Sequence, residues 1–324
     1  MRSGLLLGKG AQLYWAIQWR RNEGLGALFL VLGLFAAIYA ALFPGIFAVG
    51  AMAKFVQGWF PTAMVAAAET IVMLTGGIDL SVGPMVSLGS VVAASAMQGP
   101  LGVFGGVLAL LALGASVGAI VGGFVAIGRY PAIIVTLALS FVLRGVALLI
   151  MPRPGGFVPP SLSEFLAGSH PTAAVLLVLL IILWKLYQAT PLGIGLIAVG
   201  DNAEGAYRSG VGVTTVRMSA YIMSAILQAF TGLYMAAKTG SGDPLIGEPM
   251  TLAAISAAVL GGVSFLGGQG TMRGALAGSL LMSILINVMF FMGLPLVAQY
   301  VVQGLIIVVT VALPLIRASL RRAS

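Results

Sequence analysis

No charged side chain occurs in the 27 residues from Leu101 to Ile127. A soluble helix needs a polar face, whereas a helix apolar all round belongs in a large core or in lipid, and about 20 apolar residues cross the hydrocarbon layer. The pattern recurs along the chain. Candidate spans are 25–43, 61–76, 84–99, 101–127, 130–151, 172–188, 217–237, 251–266, 271–292 and 295–316. Hydrophobic residues make up 60% of the chain and charged ones 7%. A soluble domain carries roughly 25% charged residues. The polar surface is too small to cover a water-soluble globule, so the expected fold is an all-α polytopic transmembrane bundle of about ten helices.

The net charge of +8 does not point to nucleic acid, because the basic residues form no single patch. Arg2, Lys9, Arg20 and Arg21 precede the first apolar run, and Arg317, Arg321 and Arg322 follow the last. Positive residues flanking membrane segments stay in the cytoplasm, which predicts both termini inside and an even number of crossings. The organisation expected is a cytoplasmic segment 1–24, a membrane domain 25–316 and a cytoplasmic tail 317–324. No cleavable leader pattern precedes the first run, which is expected to remain as an anchor. The chain has no cysteine, which excludes disulfides, thiolate metal sites and a cysteine nucleophile.

Glycine, at 45 residues, recurs at the four-residue spacing that lets membrane helices approach closely: Gly102/Gly106, Gly114/Gly118 and Gly274/Gly278. The stretch 45–60, with Lys54 and Trp59, is too mixed to span and is placed at the outer interface or as a half-inserted segment. Three polar connections separate the later runs. Residues 152–171, rich in proline and glycine, and residues 238–250 are assigned outside; residues 189–216 are assigned inside, in agreement with Lys185, Arg217 and Arg129. Two apolar runs end alike, one at Gly76-Gly77 and one at Gly261-Gly262, each followed by a turn and a helix rich in small residues. Internal repeats with broken helices near mid-membrane are typical of transporters.

The turn Thr75–Gly83 places Asp79 and Ser81 between two apolar runs, and Glu69 lies ten residues before that aspartate. A carboxylate at membrane depth must face protein or a watery cavity. Asp79 and Ser81 either line a translocation route or hold the broken helix ends, with Asp79 as N-cap of a helix beginning near residue 81. Glu69 is either a route residue or a structural hydrogen-bonding group, and Arg144, deep in the 130–151 span, is a possible partner by charge. Residues Asn202–Ser209 read as a short helix capped by Asn202, with Ala203, Ala206 and Tyr207 available for docking. His170, the single histidine, lacks clustered acidic neighbours and reads as a surface residue. No metal site, nucleophile–base set or phosphate-binding loop is present in the pattern, so no intrinsic catalysis and no cofactor bound by this chain are expected.

Four blocks, in order, resemble the permease subunit of bacterial ribose-type ABC sugar importers, within the branched-chain amino acid/ribose permease superfamily. They are Glu69-Thr-Ile-Val-Met-Leu-Thr-Gly-Gly-Ile-Asp-Leu-Ser-Val-Gly83; Tyr130-Pro-Ala-Ile-Ile-Val-Thr-Leu137 with Arg144-Gly145; Ile197-Ala-Val-Gly-Asp-Asn-Ala-Glu204 continuing to Val213; and Val259-Leu-Gly-Gly-Val-Ser-Phe-Leu-Gly-Gly-Gln-Gly270 with Asn287 and Gln303-Gly304. The resemblance implies a ten-helix permease of the bacterial inner membrane that pairs with a second copy or a homologue. Two ABC ATPase subunits would consume ATP, and a periplasmic or lipid-anchored binding protein would deliver a monosaccharide. It makes Asp201, Asn202, Ala203, Glu204, Tyr207 and Arg208 the candidates for coupling to the ATPase. Glu69, Asp79, Ser81, Arg144, Gln269 and Asn287 become candidates for the translocation route or the broken-helix turn, and Asp243 and Glu248 for contact with the binding protein. Where family members often carry Glu-Leu-Asp, this chain has Thr251-Leu252-Ala253, so the blocks do not name the solute. An ion-coupled carrier using Glu69 and Asp79, a permease for an amino acid or other solute, and a membrane scaffold without transport are the alternatives.

Overall fold

The computed structural model describes residues 28–308 except 169 and 296, together with 26 and 312. The expected terminal segments 1–24 and 317–324 lie outside the described residues. Within them the chain is helical, and the one β-bridge joins Gly155 to Gly242. The helices are α1 (Leu28–Leu42), α2 (Val49–Met73), α3 (Val82–Ala96), α4 (Gly102–Gly122) and α5 (Ala132–Ile150). They continue as α6 (Pro160–Ala167), α7 (Thr172–Gln188), α8 (Pro191–Asp201), α9 (Ala203–Arg208) and α10 (Val213–Thr239). The last are α11 (Met250–Leu260), α12 (Met272–Phe291) and α13 (Val297–Val308).

Four stretches are long and apolar enough to cross a membrane: Gly102–Ile127, in which α4 continues into a π-turn, and α5, α10 and α12. The pair α6 and α7 forms a further, bent candidate, while α1, α3, α8, α11 and α13 are shorter apolar helices. Several expected spans are therefore corrected. The stretch 45–60 is no separate interfacial segment, because residues 49–60 begin the 25-residue helix α2, which continues through Pro61. The run 251–266 is helical only as far as Leu260, the end of the 11-residue α11, roughly 16 Å of helix and about half the hydrocarbon thickness. Residues 189–216 are no open loop: apolar α8 buries Leu196 and Val199, and α9 follows at once.

Helix starts follow a recurring local rule. Thr190, Asn202 and Thr271 cap α8, α9 and α12 by accepting from the backbone N–H of Gly193, Gly205 and Gly274 at 3.2, 2.9 and 3.1 Å. Helix stops share another. At Gly76 and Gly262, with φ of 81° and 80°, the chain turns left-handed and the next residue bonds back to the carbonyl five positions earlier. The same closure ends α9 and α12, so it is this chain's general way of stopping a helix rather than a mark of the two similar halves.

Helix α10 is the axis of the bundle, packing on α2, α3, α4 and α8. Its approach to α4 is backbone against backbone. A Cβ added at Gly114, Gly118 or Gly122 would lie 2.7, 2.5 or 3.0 Å from the Cα of Ile226, Ile222 or Met218. Four-residue steps on both helices keep this seam in register. Gly278 sits equally tightly against Ala257 and Gly261 of the α11–α12 pair, whereas Gly102 faces open space. Replacing Gly118 by leucine is expected to force α4 off α10 and destabilise the protein by about 1–3 kcal/mol. A lowered thermal-unfolding midpoint in detergent, with Gly145→Ala, at a helical glycine facing open space, measured beside it, checks this.

Candidate functional site

Between α2 and α3 the backbone leaves helical geometry for the residues around Gly76–Ser81, inside the bundle. Every freed N–H there must find a partner, because an unsatisfied group in an apolar interior costs several kcal/mol. Two surrounding helices supply such partners, and a third holds the Asp79 side chain. From α2, Glu69 Oε1 accepts the Asp79 N–H at 3.2 Å. From α5, Thr136 Oγ1 accepts the Leu80 N–H at 3.1 Å; its own proton is shared between the Ala132 carbonyl of α5 at 2.9 Å and the Ile78 carbonyl at 3.2 Å. From α10, Gln228 Nε2 donates to Asp79 Oδ2 at 2.9 Å and to Ser224 Oγ at 2.9 Å.

Asp79 is the hub. Its Oδ1 accepts from the Ser81 N–H at 2.9 Å and the Ser81 hydroxyl at 2.5 Å, closing an Asx-type turn just before α3. This corrects the expected N-cap: Asp79 braces the turn two residues upstream, and Ser81 occupies the cap position without a side-chain capping bond. Glu69 has no accessible surface, and its Oε2 lacks a hydrogen-bond partner among the described residues. Two carboxylates are thus enclosed beside each other, one saturated with donors and one half-used.

The other candidates fall into three places. Arg144 does not meet Glu69; its Nε lies 3.3 Å from Glu248 Oε1, so the intramembrane pair expected with Glu69 is replaced by a half-exposed ion pair linking α5 to the connection before α11. That connection is sewn to α3. Ser90 Oγ accepts the Asp243 N–H at 3.0 Å, Ser87 Oγ accepts the Gly247 N–H at 2.9 Å, and Thr251 Oγ1 accepts the Gly83 N–H at 2.9 Å. Asn287 donates to the Ser283 carbonyl of its own helix at 2.7 Å, and Gln269 is exposed on the second helix break. His170 borders a small, mainly apolar cavity near Gln57.

The segment expected to couple to a partner, Asp201–Arg208, lies against both breaks. Gly200 packs on the Leu74 carbonyl and on the N–H of Gly268, which itself donates to Leu74 O at 3.1 Å. A Cβ at Gly267 would lie 2.7 Å from the backbone of Gly76. Three stretches of backbone thereby meet where only glycine fits. Ala206 is buried against the bundle, while Tyr207 is exposed and Glu204 pairs with Arg208 at 2.5 Å. Beside this junction is a cavity of about 710 Å³, bordered by the first break, the π-turn, α9 and the start of α10.

Thr136, Ser224 and Gln228 were not singled out from the sequence. Thr136 stood inside the second resemblance block, and Gln228 is a strongly polar residue within the run 217–237, the one signal that marked it.

Residues 51–311 match the family model described as branched-chain amino acid transport system/permease component. The chain belongs to this family of membrane permeases. The ribose import permease protein of Escherichia coli K12 is 32% identical over 284 residues, covering 85% of this chain and 88% of that one. The L-arabinose ABC transporter permease protein of Azospirillum brasilense is 32% identical, covering 80% and 78%. The autoinducer 2 import system permease protein of Klebsiella pneumoniae is 33% identical, covering 89% and 85%. No solved structure matches the chain. The family resemblance noted from the four blocks is borne out, and the protein is a multi-pass membrane permease rather than an enzyme by kinship.

The hub makes a graded prediction. Glu69→Ala should remove the acceptor for the Asp79 N–H and open a void, lowering stability by about 2–4 kcal/mol. Glu69→Gln keeps an oxygen in place and should retain most of it. Unfolding midpoints of the two variants in the same detergent distinguish this hydrogen-bonding role from dependence on a charge.

Proposed function

We propose that this chain is the membrane subunit of an ATP-driven ABC importer of the bacterial inner membrane, carrying a monosaccharide or similar small polar solute. The observation that carries the reading is kinship along nearly the whole chain with permeases named for ribose, L-arabinose and autoinducer 2. In this reading ATP is bound and hydrolysed by separate ATPase subunits, a binding protein delivers the solute, and a second copy or homologue completes the pathway. The permease then needs only weak contacts to its cargo, which agrees with the small number of polar side chains in the bundle.

The α8–α9 segment supplies the mechanical link. A push on the exposed face of α9, around Glu204, Tyr207 and Arg208, would reach both helix breaks through Gly200 without passing through any flexible side chain. Asp79, held by Gln228 and Ser81, would keep the first break as one rigid piece while it moves. Asp243 and Glu248 remain the candidates for contact with the binding protein, and Arg144, Gln269 and Asn287 for the route.

Uptake of labelled sugars into proteoliposomes holding this chain, its ATPase and the binding protein tests the proposal, with each component omitted in turn. Uptake is expected to require all three and ATP. Uptake by this chain alone under a proton or sodium gradient would overturn the reading in favour of an ion-coupled carrier. Because an exposed ion pair contributes little, Glu204→Ala should change stability by no more than about 0.5 kcal/mol yet reduce ATP-driven uptake several-fold. Unchanged uptake in that variant would remove Glu204 from the coupling surface.

A further inference from the structure

The cavity of about 710 Å³ beside the glycine junction has a composition that a passage for neutral sugars does not require. Two guanidinium groups border it, Arg129 from the α4–α5 connection and Arg217 from the first turns of α10, and neither has an acidic partner among the described residues. The one carboxylate on its wall, Glu204, is already paired with Arg208. Residues Gly212, Val213 and Thr214 also line it, so the 27-residue helix α10 presents its N-terminus there, and no side chain caps that end. Free N–H groups and the positive end of a helix dipole favour an anion.

Tyr221 also borders the cavity; it is 2% exposed, and its hydroxyl, enclosed against Gly77, has no hydrogen-bond partner among the described residues. Arg129 adds a conformational signature: at φ 56° it is the only non-glycine residue with positive φ among the described residues, a backbone state that a Cβ makes costly.

We infer that this cavity is a binding site for a small phosphate-bearing anion, held by Arg129, Arg217 and the N-terminus of α10. Its volume lies within the range of small-molecule sites, about 300–1,000 Å³. The fork of an arginine suits a phosphate better than a point charge does. The occupant would sit between α9 and the first helix break, where its presence changes how one bears on the other. A free phosphate ester and the headgroup of an anionic phospholipid share the required chemistry. The site depends on the fold alone, and its test involves neither the ATPase nor transport.

The experiment is calorimetric titration of the purified chain in neutral detergent with inorganic phosphate and with ribose 5-phosphate, at constant ionic strength, beside ribose as the uncharged control. Saturable binding of the phosphates and none of ribose is expected. Arg217→Gln should weaken it by about tenfold or more, the loss of a charge-assisted hydrogen bond. Arg129→Gly removes the other guanidinium while keeping a residue that adopts positive φ freely, so a folded variant is retained, and a similar loss is expected. Absence of saturable phosphate binding by the folded wild-type chain would overturn the proposal. So would affinity unchanged from wild type in both arginine variants. Repetition in nanodiscs of phosphatidylcholine, with and without phosphatidylglycerol, separates the sources. Phosphate binding that persists in anionic discs supports a free ester, and binding lost there but restored in discs of phosphatidylcholine alone supports a lipid headgroup in the same site.

Discussion

The arrangement of this bundle turns on the need to satisfy a few backbone groups where a helix stops inside an apolar interior. Between Gly76 and Ser81 the chain gives up its own helical hydrogen bonds, and water is not at hand to replace them. Glu69 and Thr136 come from two different helices to fill that need, and Gln228 from a third holds the Asp79 carboxylate that braces the turn. Their positions then fix how α2, α5 and α10 stand around the break. The polar residues of the interior are consequences of the interruption, and the interruption places α3 where it is.

Close approach of backbones is the second constraint, and it follows from the first. A break that must reach three helices needs those helices near, and Gly114, Gly118 and Gly122 bring α4 onto α10 while Gly200 and Gly267 bring α8 and the second break onto the first. In a lipid setting such contacts supply packing that the hydrophobic effect does not. The same residue type also closes helices at Gly76, Gly210, Gly262 and Gly293, where left-handed geometry excludes a side chain. Glycine therefore does two unrelated jobs here, and its abundance by itself distinguishes neither.

That double role explains what could be read from the residues and what could not. The membrane class follows from composition, and the family from four ordered blocks that centre on the breaks. The Gly114/Gly118 pair was visible as spacing, while Gly102/Gly106 had identical spacing and no such contact, because Gly102 stands at a helix start facing open space. The short helix after Asn202 was legible through its cap. The membership of α8 in the bundle was not, since the charges of Asp201, Glu204 and Arg208 dominate a segment whose first ten residues are apolar. Span lengths were least legible where interior contacts replace length: α11 has only 11 residues but is enclosed by α2 and α12. The partner of Arg144 was misjudged because a charge in the middle of a run attracts attention to other charges in runs, whereas Glu248 lies in a connection over a hundred residues away.

The stitching of the α10–α11 connection onto α3 has a consequence for motion. Hydroxyls of Ser87, Ser90 and Thr251 lock segment and helix together through backbone N–H groups, so they travel as a single body. Helix α5 is tied to that body on this side by the Arg144–Glu248 pair, which water and salt can weaken. At its opposite end α5 is fastened by the buried Thr136 to the first break. Leu143 and Ala147, on either side of Arg144, are buried in one cluster with Met85, Leu88 and Val91 of α3, so α5 belongs to the same body and the ion pair is a clasp at its edge.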